Sequence, residues 1–285
     1  MALSTEITAQ LKQYLAKLNS NVVIEAFVDE SEVSTNMSEL LVELAEMTEK
    51  ISLNIHKDTT ERTPSFKINK PNEIFIIVKS ISFTRFTMII KKIYNILMIA
   101  IFTKKEPESL SHNLGIEEFD QEGRYIECGY KDFNIASAYF PSGSSGDIRQ
   151  EAKYRFLDSF EKKLLEYNQN ETPFIFCGDI NIVHREIDIK NWKSNQKNSG
   201  CLPEERAWLD KVFEELGCTD AFRSINKNAE EYTWWSNRGN AYNNNVGWRI
   251  DYQIYNKFFS KTPIKTSVYK EERFSDHAPL IVEYE

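Results

Sequence analysis

Phe174-Ile175-Phe176-Cys177-Gly178-Asp179-Ile180-Asn181 is the stretch on which the fold turns. Four apolar residues without a polar break read as a strand covered on both faces, and the glycine after them marks its end. The functional edge of an α/β sheet lies where such a strand runs into its loop, and here that edge receives a carboxylate and an amide two positions apart. Asp and Asn after a strand are also common turn formers, so Gly178–Asn181 taken alone reads either way.

Working outward, Asn134–Tyr139 reads as a strand, Asp147–Tyr167 as a long helix, Pro203–Leu216 as a helix, and Arg249–Tyr255 and Leu280–Tyr284 as short strands. Upstream, the spacing predicts a helix over Thr5–Leu18, an apolar run Val22–Val28, a helix over Met37–Lys50 and a strand Ile51–Ile55. Thr63-Pro64-Ser65-Phe66 then opens another extended run, with the proline placed for a cis turn. The stretch from Pro71 to Ile99 is rich in Ile and Phe, has no glycine to punctuate it, and receives no role. Three regions follow: 1–72, a junction 73–98, and 99–285.

A chain of 285 residues with 41% apolar and 13% aromatic side chains can fill a packed core, which argues against disorder. The N-terminus has no basic and apolar leader pattern, and Cys128, Cys177, Cys201 and Cys218 form no C-x-x-C pair. That reads as cytoplasmic and reduced, without zinc or disulfides. The run Ile93–Phe102 falls short of the ~20 residues of a membrane span and reads as a buried strand or helix. Net charge is −8, with 7 basic and 11 acidic side chains in residues 1–72. Any surface for a polyanion must therefore be a local stripe. Candidates are Arg185, Lys190, Trp192, Lys193, Lys197 and Asn198 in one loop, and Arg149, Lys153 and Arg155 at the start of the long helix.

Two further groups carry chemistry. Arg273-Phe274-Ser275-Asp276-His277-Ala278-Pro279 precedes the last strand and places an imidazole in a polar loop. Asp251, in Gly247-Trp248-Arg249-Ile250-Asp251-Tyr252, is an acid in a half-buried strand and needs a partner, for which a histidine is the obvious choice.

Taken together and in order, G-D-x-N, W-R-I-D and S-D-H-A-P resemble the exodeoxyribonuclease III and apurinic endonuclease family, within the endonuclease/exonuclease/phosphatase superfamily. The connecting text agrees: IFTKKEP, LGIEEFDQEGRYIE, YFPSG, KNSGCLPEERAWLD, DAFR and YTWW, over residues 99–285. The resemblance implies a four-layer α/β sandwich of two mostly antiparallel sheets. It implies a magnesium-dependent phosphodiesterase of DNA repair, with manganese able to serve, that acts as a monomer on double-stranded DNA at abasic sites and 3′ ends and has no membrane partner. Catalytic roles would fall to Tyr139, Asp179, Asn181, Asp251 and His277. Metal ligation would fall to Asp179, Asn181, Asp276 and His277, and DNA contact to Arg149, Lys190, Trp192, Lys193, Trp234 and Trp248. Relatives of the same fold cleave sphingomyelin or inositol phosphates, and the KNSGCLPEERAWLD and YTWW text favours DNA.

Residues 4–69 resemble the N-terminal thioredoxin-like domain of the flavoprotein subunit of alkyl hydroperoxide reductase. The fold expectation is therefore a partial thioredoxin-like α/β segment followed by the sandwich, incomplete on its N-terminal side. Redox work in that second family needs a C-x-x-C that this chain lacks, leaving only docking. The nuclease family opens with S-W-N-V-N-G-I-R-like and L-Q-E-T-K runs carrying an asparagine and a glutamate of the metal site, and neither run exists here. Ile74–Val78 and Phe83–Ile90 are the candidates for replacement strands, and a fusion or rearranged reading frame is the alternative origin. Activity would then be weakened or lost, leaving a DNA-binding remnant or a fusion product as the alternative function.

Overall fold

The computed structural model describes residues 21–57, 63, 65–70, 73–79, 99–103, 105–273 and 275–285, with positions 8, 12, 15 and 16. The expected helix Thr5–Leu18 lies mostly outside the described residues, and the proline turn at Pro64 and the strand Phe83–Ile90 lie wholly outside them. The chain divides into two compact units, Met1–Pro107 and Glu108–Glu285.

In the first unit, β1 (Val22–Phe27) alternates buried and half-buried side chains, so Val22, Ile24 and Ala26 face α1 (Glu32–Glu46). The helix answers with Met37, Leu40, Leu41 and Leu44, which share one stripe at helical spacing. It starts earlier than the apolar period alone predicts because Ser31 caps it, its hydroxyl oxygen accepting the Ser34 N–H at 3.2 Å. β2 (Ile51–His56) pairs parallel with β1, and β3 (Ser65–Lys70), β4 (Glu73–Lys79) and β5 (Ile99–Phe102) continue antiparallel, in the order β2-β1-β3-β4-β5. The expected strand Ile74–Val78 thus exists as β4. Ile99–Phe102, which sequence text groups with the nuclease-like region, is hydrogen-bonded to β4 instead.

The second unit is built on a sheet of β6 (Ser109–Ser111), β7 (Tyr125–Gly129), β8 (Asn134–Ala138), β9 (Phe174–Asp179), β10 (Thr219–Asp220) and β13 (Asp251–Tyr255). Their order is β10-β13-β9-β8-β7-β6, antiparallel except for the β8–β9 pair. Two short hairpins stand apart from this sheet, β11 (Trp234–Trp235) with β12 (Gly247–Trp248) and β14 (Pro263–Val268) with β15 (Leu280–Tyr284). The fold is mixed α/β with a mostly antiparallel central sheet.

After the short helix α2 (Glu117–Gln121), α3 (Asp147–Gln169) lays Ala152, Phe156, Leu157, Phe160 and Leu164 on Phe140, Phe174, Phe176 and Ile254. Each fully buried phenylalanine contributes about 1.5–3 kcal/mol relative to exposure. The helix pattern predicted over Pro203–Leu216 divides into α4 (Pro203–Asp210) and a widened π turn, Lys211–Glu215. No described helix is long and apolar enough to cross a membrane.

Candidate active site

The end of β9 lies beside the start of β13, and their antiparallel register sets Asp179 directly opposite Asp251. A glycine is required just before Asp179, because a Cβ on Gly178 would stand 1.9 Å from the Ala138 carbonyl oxygen. Gly178 also has φ of +148°, open to glycine but not to other residues without strain. Asp179 is 3% exposed and accepts from the Asn181 backbone N–H at 2.8 Å and from the Asn181 amide at 3.1 Å. Asn181 itself sits in the left-handed region, φ 58°, a conformation that asparagine tolerates better than most residues. The sequence-expected pair thus forms a closed local loop, with Asn181 Nδ2 also donating to the Phe140 carbonyl at 3.1 Å.

His277 completes the cluster. Its Nδ1 is 2.9 Å from Asp251 Oδ2 and its Nε2 is 3.9 Å from Asp179 Oδ2. Burial pushes Asp179 well above the usual carboxylate range, the His277 charge pulls it back, and Asp251 raises it again. For His277, burial acts to lower the pKa, but the charge and hydrogen bond of Asp251, with Asp179 and Asp276, raise it to about 9. At neutral pH the imidazole is therefore a cation held between two acids. Asp251 Oδ1 is buried and, among the described residues, has no hydrogen-bond partner. Tyr139 stands at the end of β8, its hydroxyl bonded to Asn181, and burial followed by the Asp179 charge pushes it up to about 12.

Asp276 lies beside this group. Its Oδ2 accepts from the Trp234 indole N–H at 3.1 Å, and its carbonyl accepts from Trp235 N–H at 2.9 Å. Among the described residues, no three His, Cys, Asp or Glu side chains form a closed cage for an ion. A magnesium ion does not need one, since it keeps several waters and uses one or two carboxylates. Three acids, Asp179, Asp251 and Asp276, gather around one imidazole, and this acidic surplus suits a divalent cation.

Trp192, Trp234 and Trp248 pack together on Val183, Ile189, Cys201 and Ile250, with the Trp234 and Trp248 rings edge to face at 6.0 Å. Gly200 makes room for them. A Cβ there would come within 2.9 Å of the Asn181 carbonyl and 3.0 Å of the Trp248 ring.

The basic residues divide. Lys193 is exposed; Lys190 is paired with Glu230, and Arg149 with Glu122 at 3.1 Å. Arg155 is paired with Glu118 at 2.7 Å, and Arg185 with Asp210 at 2.7 Å. Lys153 overturns the expectation of a phosphate contact. It is 0% exposed, with Nζ donating to Glu205 Oε1 at 2.6 Å and to the Asn181 carbonyl at 2.8 Å. The signal was in the helix period, because position 153 lies one turn before Phe156 and Leu157 on the core face. Sequence reasoning also missed Arg249, two residues before Asp251 and fully buried, which joins Asp188 at 2.7 Å and Asp220 at 2.8 Å.

Residues 98–277 match the Endonuclease/Exonuclease/phosphatase family. An exodeoxyribonuclease of Bacillus subtilis is 35% identical over 182 residues, 64% of this chain and 71% of that protein. The DNA repair nuclease APEX1 of Danio rerio is 36% identical over 183 residues, 64% of this chain and 58% of that protein. Two solved structures share the fold. An AP endonuclease from Archaeoglobus fulgidus has a TM-score of 0.60 at 19% identity, covering 93% of this chain and 99% of its own. A 3′-5′ exonuclease from Neisseria meningitidis has a TM-score of 0.60 at 18% identity, covering 92% and 99%. The family match begins at residue 98 and does not bear on residues 4–69. With the paired acids, the imidazolium and the aromatic wall in place, this chain belongs to the Endonuclease/Exonuclease/phosphatase family, in its group of exodeoxyribonuclease- and AP-endonuclease-like DNA repair nucleases.

Proposed function

We propose that the protein is a magnesium-dependent DNA phosphodiesterase that nicks duplex DNA at abasic sites and trims 3′ ends, working as a monomer in the cytoplasm. The observation that carries the reading is the placement of His277 between Asp251, hydrogen-bonded at 2.9 Å, and Asp179, at 3.9 Å, in the same unit as a wall of three tryptophans. Asp179, held by Asn181 and raised in pKa, takes the proton of the attacking water at its carboxylate. His277, charged and fixed by Asp251, faces the phosphate and stabilises the charge that builds on it. Asn181 and Tyr139 orient the water and a phosphate oxygen. Trp234 and Trp248 provide faces for a sugar turned out of the stack, and Lys190, Trp192, Lys193 and Arg149 track the backbone.

Asp276, with Asp179 and Asn181 as further donors, would hold magnesium, or manganese in its place; the protonated His277 has no lone pair to offer the ion. When bound, the ion supplies neutralisation of phosphate charge and a more acidic water. The asparagine and glutamate runs of the resembling family are absent from the sequence, so we expect weaker metal binding and slower turnover than a complete site provides.

The test is incubation of purified protein with a duplex carrying one abasic site, with and without magnesium, beside Asp179→Ala and His277→Ala. Magnesium-dependent nicking lost in both variants supports the reading, and a folded wild-type protein that leaves the duplex intact overturns it. The lack of the resembling family's asparagine and glutamate runs favours one second reading, a DNA-binding protein without turnover. Salt-sensitive binding unchanged by magnesium, with no nicking, would establish that alternative.

A further inference from the structure

The segment Thr233-Trp234-Trp235 runs between the two stretches that carry Asp251 and His277, and it is bonded to both. Thr233 is 0% exposed. Its N–H donates to the Trp248 carbonyl at 3.0 Å, and its own carbonyl accepts from Ala278 N–H at 2.8 Å. Trp234 forms an isolated antiparallel bridge with His277, and Trp235 N–H donates to the Asp276 carbonyl at 2.9 Å. Main-chain bonds of this kind tie the three stretches together whatever the side chains are.

The Thr233 side chain adds something that the main chain does not. Its Oγ1 accepts from the backbone N–H groups of both Ile250 and Asp251, each at 3.2 Å. Here the chain passes from loop to strand, and the Ile250 carbonyl is already taken by Ile180 N–H at 2.9 Å. Both N–H groups are buried, and a buried donor without a partner is costly enough to shift the backbone that carries it. Among the described residues the Asp251 carboxylate is hydrogen-bonded through Oδ2 to His277, and Oδ1 has no hydrogen-bond partner. A small shift at residues 250–251 would therefore reach the carboxylate.

We propose that Thr233 is a positioning residue whose hydroxyl oxygen holds the Asp251 backbone so that its carboxylate meets the His277 imidazole. The inference rests on the reading that this pair acts at the scissile phosphate. Thr233 is fully buried, and its side-chain bonds go to the backbone of Ile250 and Asp251, so its effect passes through Asp251. It couples the aromatic wall to the acid–imidazole pair, since the same residue is bonded to Trp248 on one side and Ala278 on the other.

The experiment uses the full chain and three variants. Thr233→Val keeps the shape and removes the acceptor, Thr233→Ala removes it without adding a methyl group, and Thr233→Ser restores the oxygen. Magnesium-supported cleavage of an abasic duplex is measured as kcat and KM, and amide hydrogen exchange at Ile250 and Asp251 is measured by NMR on metal-free protein. We expect kcat to fall about tenfold to a hundredfold in the Val and Ala variants, as for other groups that orient active-site ligands. KM should stay within roughly twofold of wild type, the mark of a loss confined to the transition state. Exchange at the two amides should quicken in those variants, and Ser should restore both properties.

A folded Val or Ala variant with wild-type kcat overturns the proposal, and so does unchanged exchange at both amides. A Ser variant no better than Val assigns the effect to packing of the methyl group, and two variants that both fail to fold assign it to stability. Either result overturns positioning. Failure of the wild-type protein to cleave sinks the nuclease reading instead, while amide exchange still decides whether Thr233 holds the two N–H groups.

Discussion

His277 Nδ1 lies 2.9 Å from Asp251 Oδ2, joining two residues 26 positions apart at the end of the central sheet. This contact explains why a mostly buried imidazole is charged. Burial alone would lower its pKa below the ordinary 6.5, and the neighbouring acids, Asp251 foremost, raise it to about 9. A group whose folded pKa is raised stabilises the fold fully below its unfolded value, near 6.5, and loses that contribution as pH rises through about 9. NMR titration of His277 in chelator-treated protein should show a midpoint near 9, falling by at least about one unit in Asp251→Asn. An unchanged midpoint in the variant would mean that Asp251 is not its partner in solution.

Lys153 and Glu205 form an ion pair with both side chains fully buried. Glu205 also accepts from Gly200 N–H at 2.6 Å and Leu202 N–H at 3.0 Å, and Lys153 holds the Asn181 carbonyl. Removing one partner strands the other charge, at a cost of about 3–5 kcal/mol. Urea unfolding of Lys153→Met should show a loss of that order. Lys153→Met/Glu205→Gln should be more stable than the single variant, because the stranded charge is gone while an amide oxygen remains to accept from Gly200 and Leu202. Additive losses would refute the coupling.

Gly178 brings β9 against β8 more closely than any side chain permits. Gly178→Ala places a methyl group on the Ala138 carbonyl oxygen and must push the strand away. We expect a loss of about 1–3 kcal/mol, typical of overpacking. Nicking activity should fall more steeply than stability, because Asp179 is the next residue. A variant with a wild-type unfolding midpoint would show that the strands have room to spare.

Trp234 supplies a donor to Asp276 that phenylalanine cannot. Trp234→Phe keeps an aromatic face on the wall and frees the carboxylate to turn. Manganese affinity, followed by electron paramagnetic resonance or calorimetry, should weaken about tenfold. Equal affinity would remove Asp276 from the ligand set or show that the indole does not orient it.

Several elements are legible in the sequence alone. The apolar strand Phe174–Cys177, the helix from Asp147 and the strand Leu280–Tyr284 follow from period and composition, because burial on one face or two leaves its mark on consecutive residues. α1 begins at Glu32, five residues before the expected Met37. Its first turn is polar and is held by Ser31 rather than by apolar contacts, so the hydrophobic period could not show it.

The sequence by itself determined which chemistry-bearing groups exist and in what order. Asp179 and Asn181 are neighbours along the chain, so their mutual bonds are local and could be anticipated. It also determined the need of Asp251 for a partner, since an acid in a half-buried strand has few ways to remain there. Tertiary structure decided the rest. The pairing of β9 with β13 sets Asp179 opposite Asp251, and main-chain bonds from Thr233 and Trp235 hold the His277 stretch against that pair. Lys153, Glu205 and Arg249 show the reason most plainly. A charged residue carries no sign in its own side chain of whether it meets water or a buried partner tens of residues away, and that choice is made by packing across the fold.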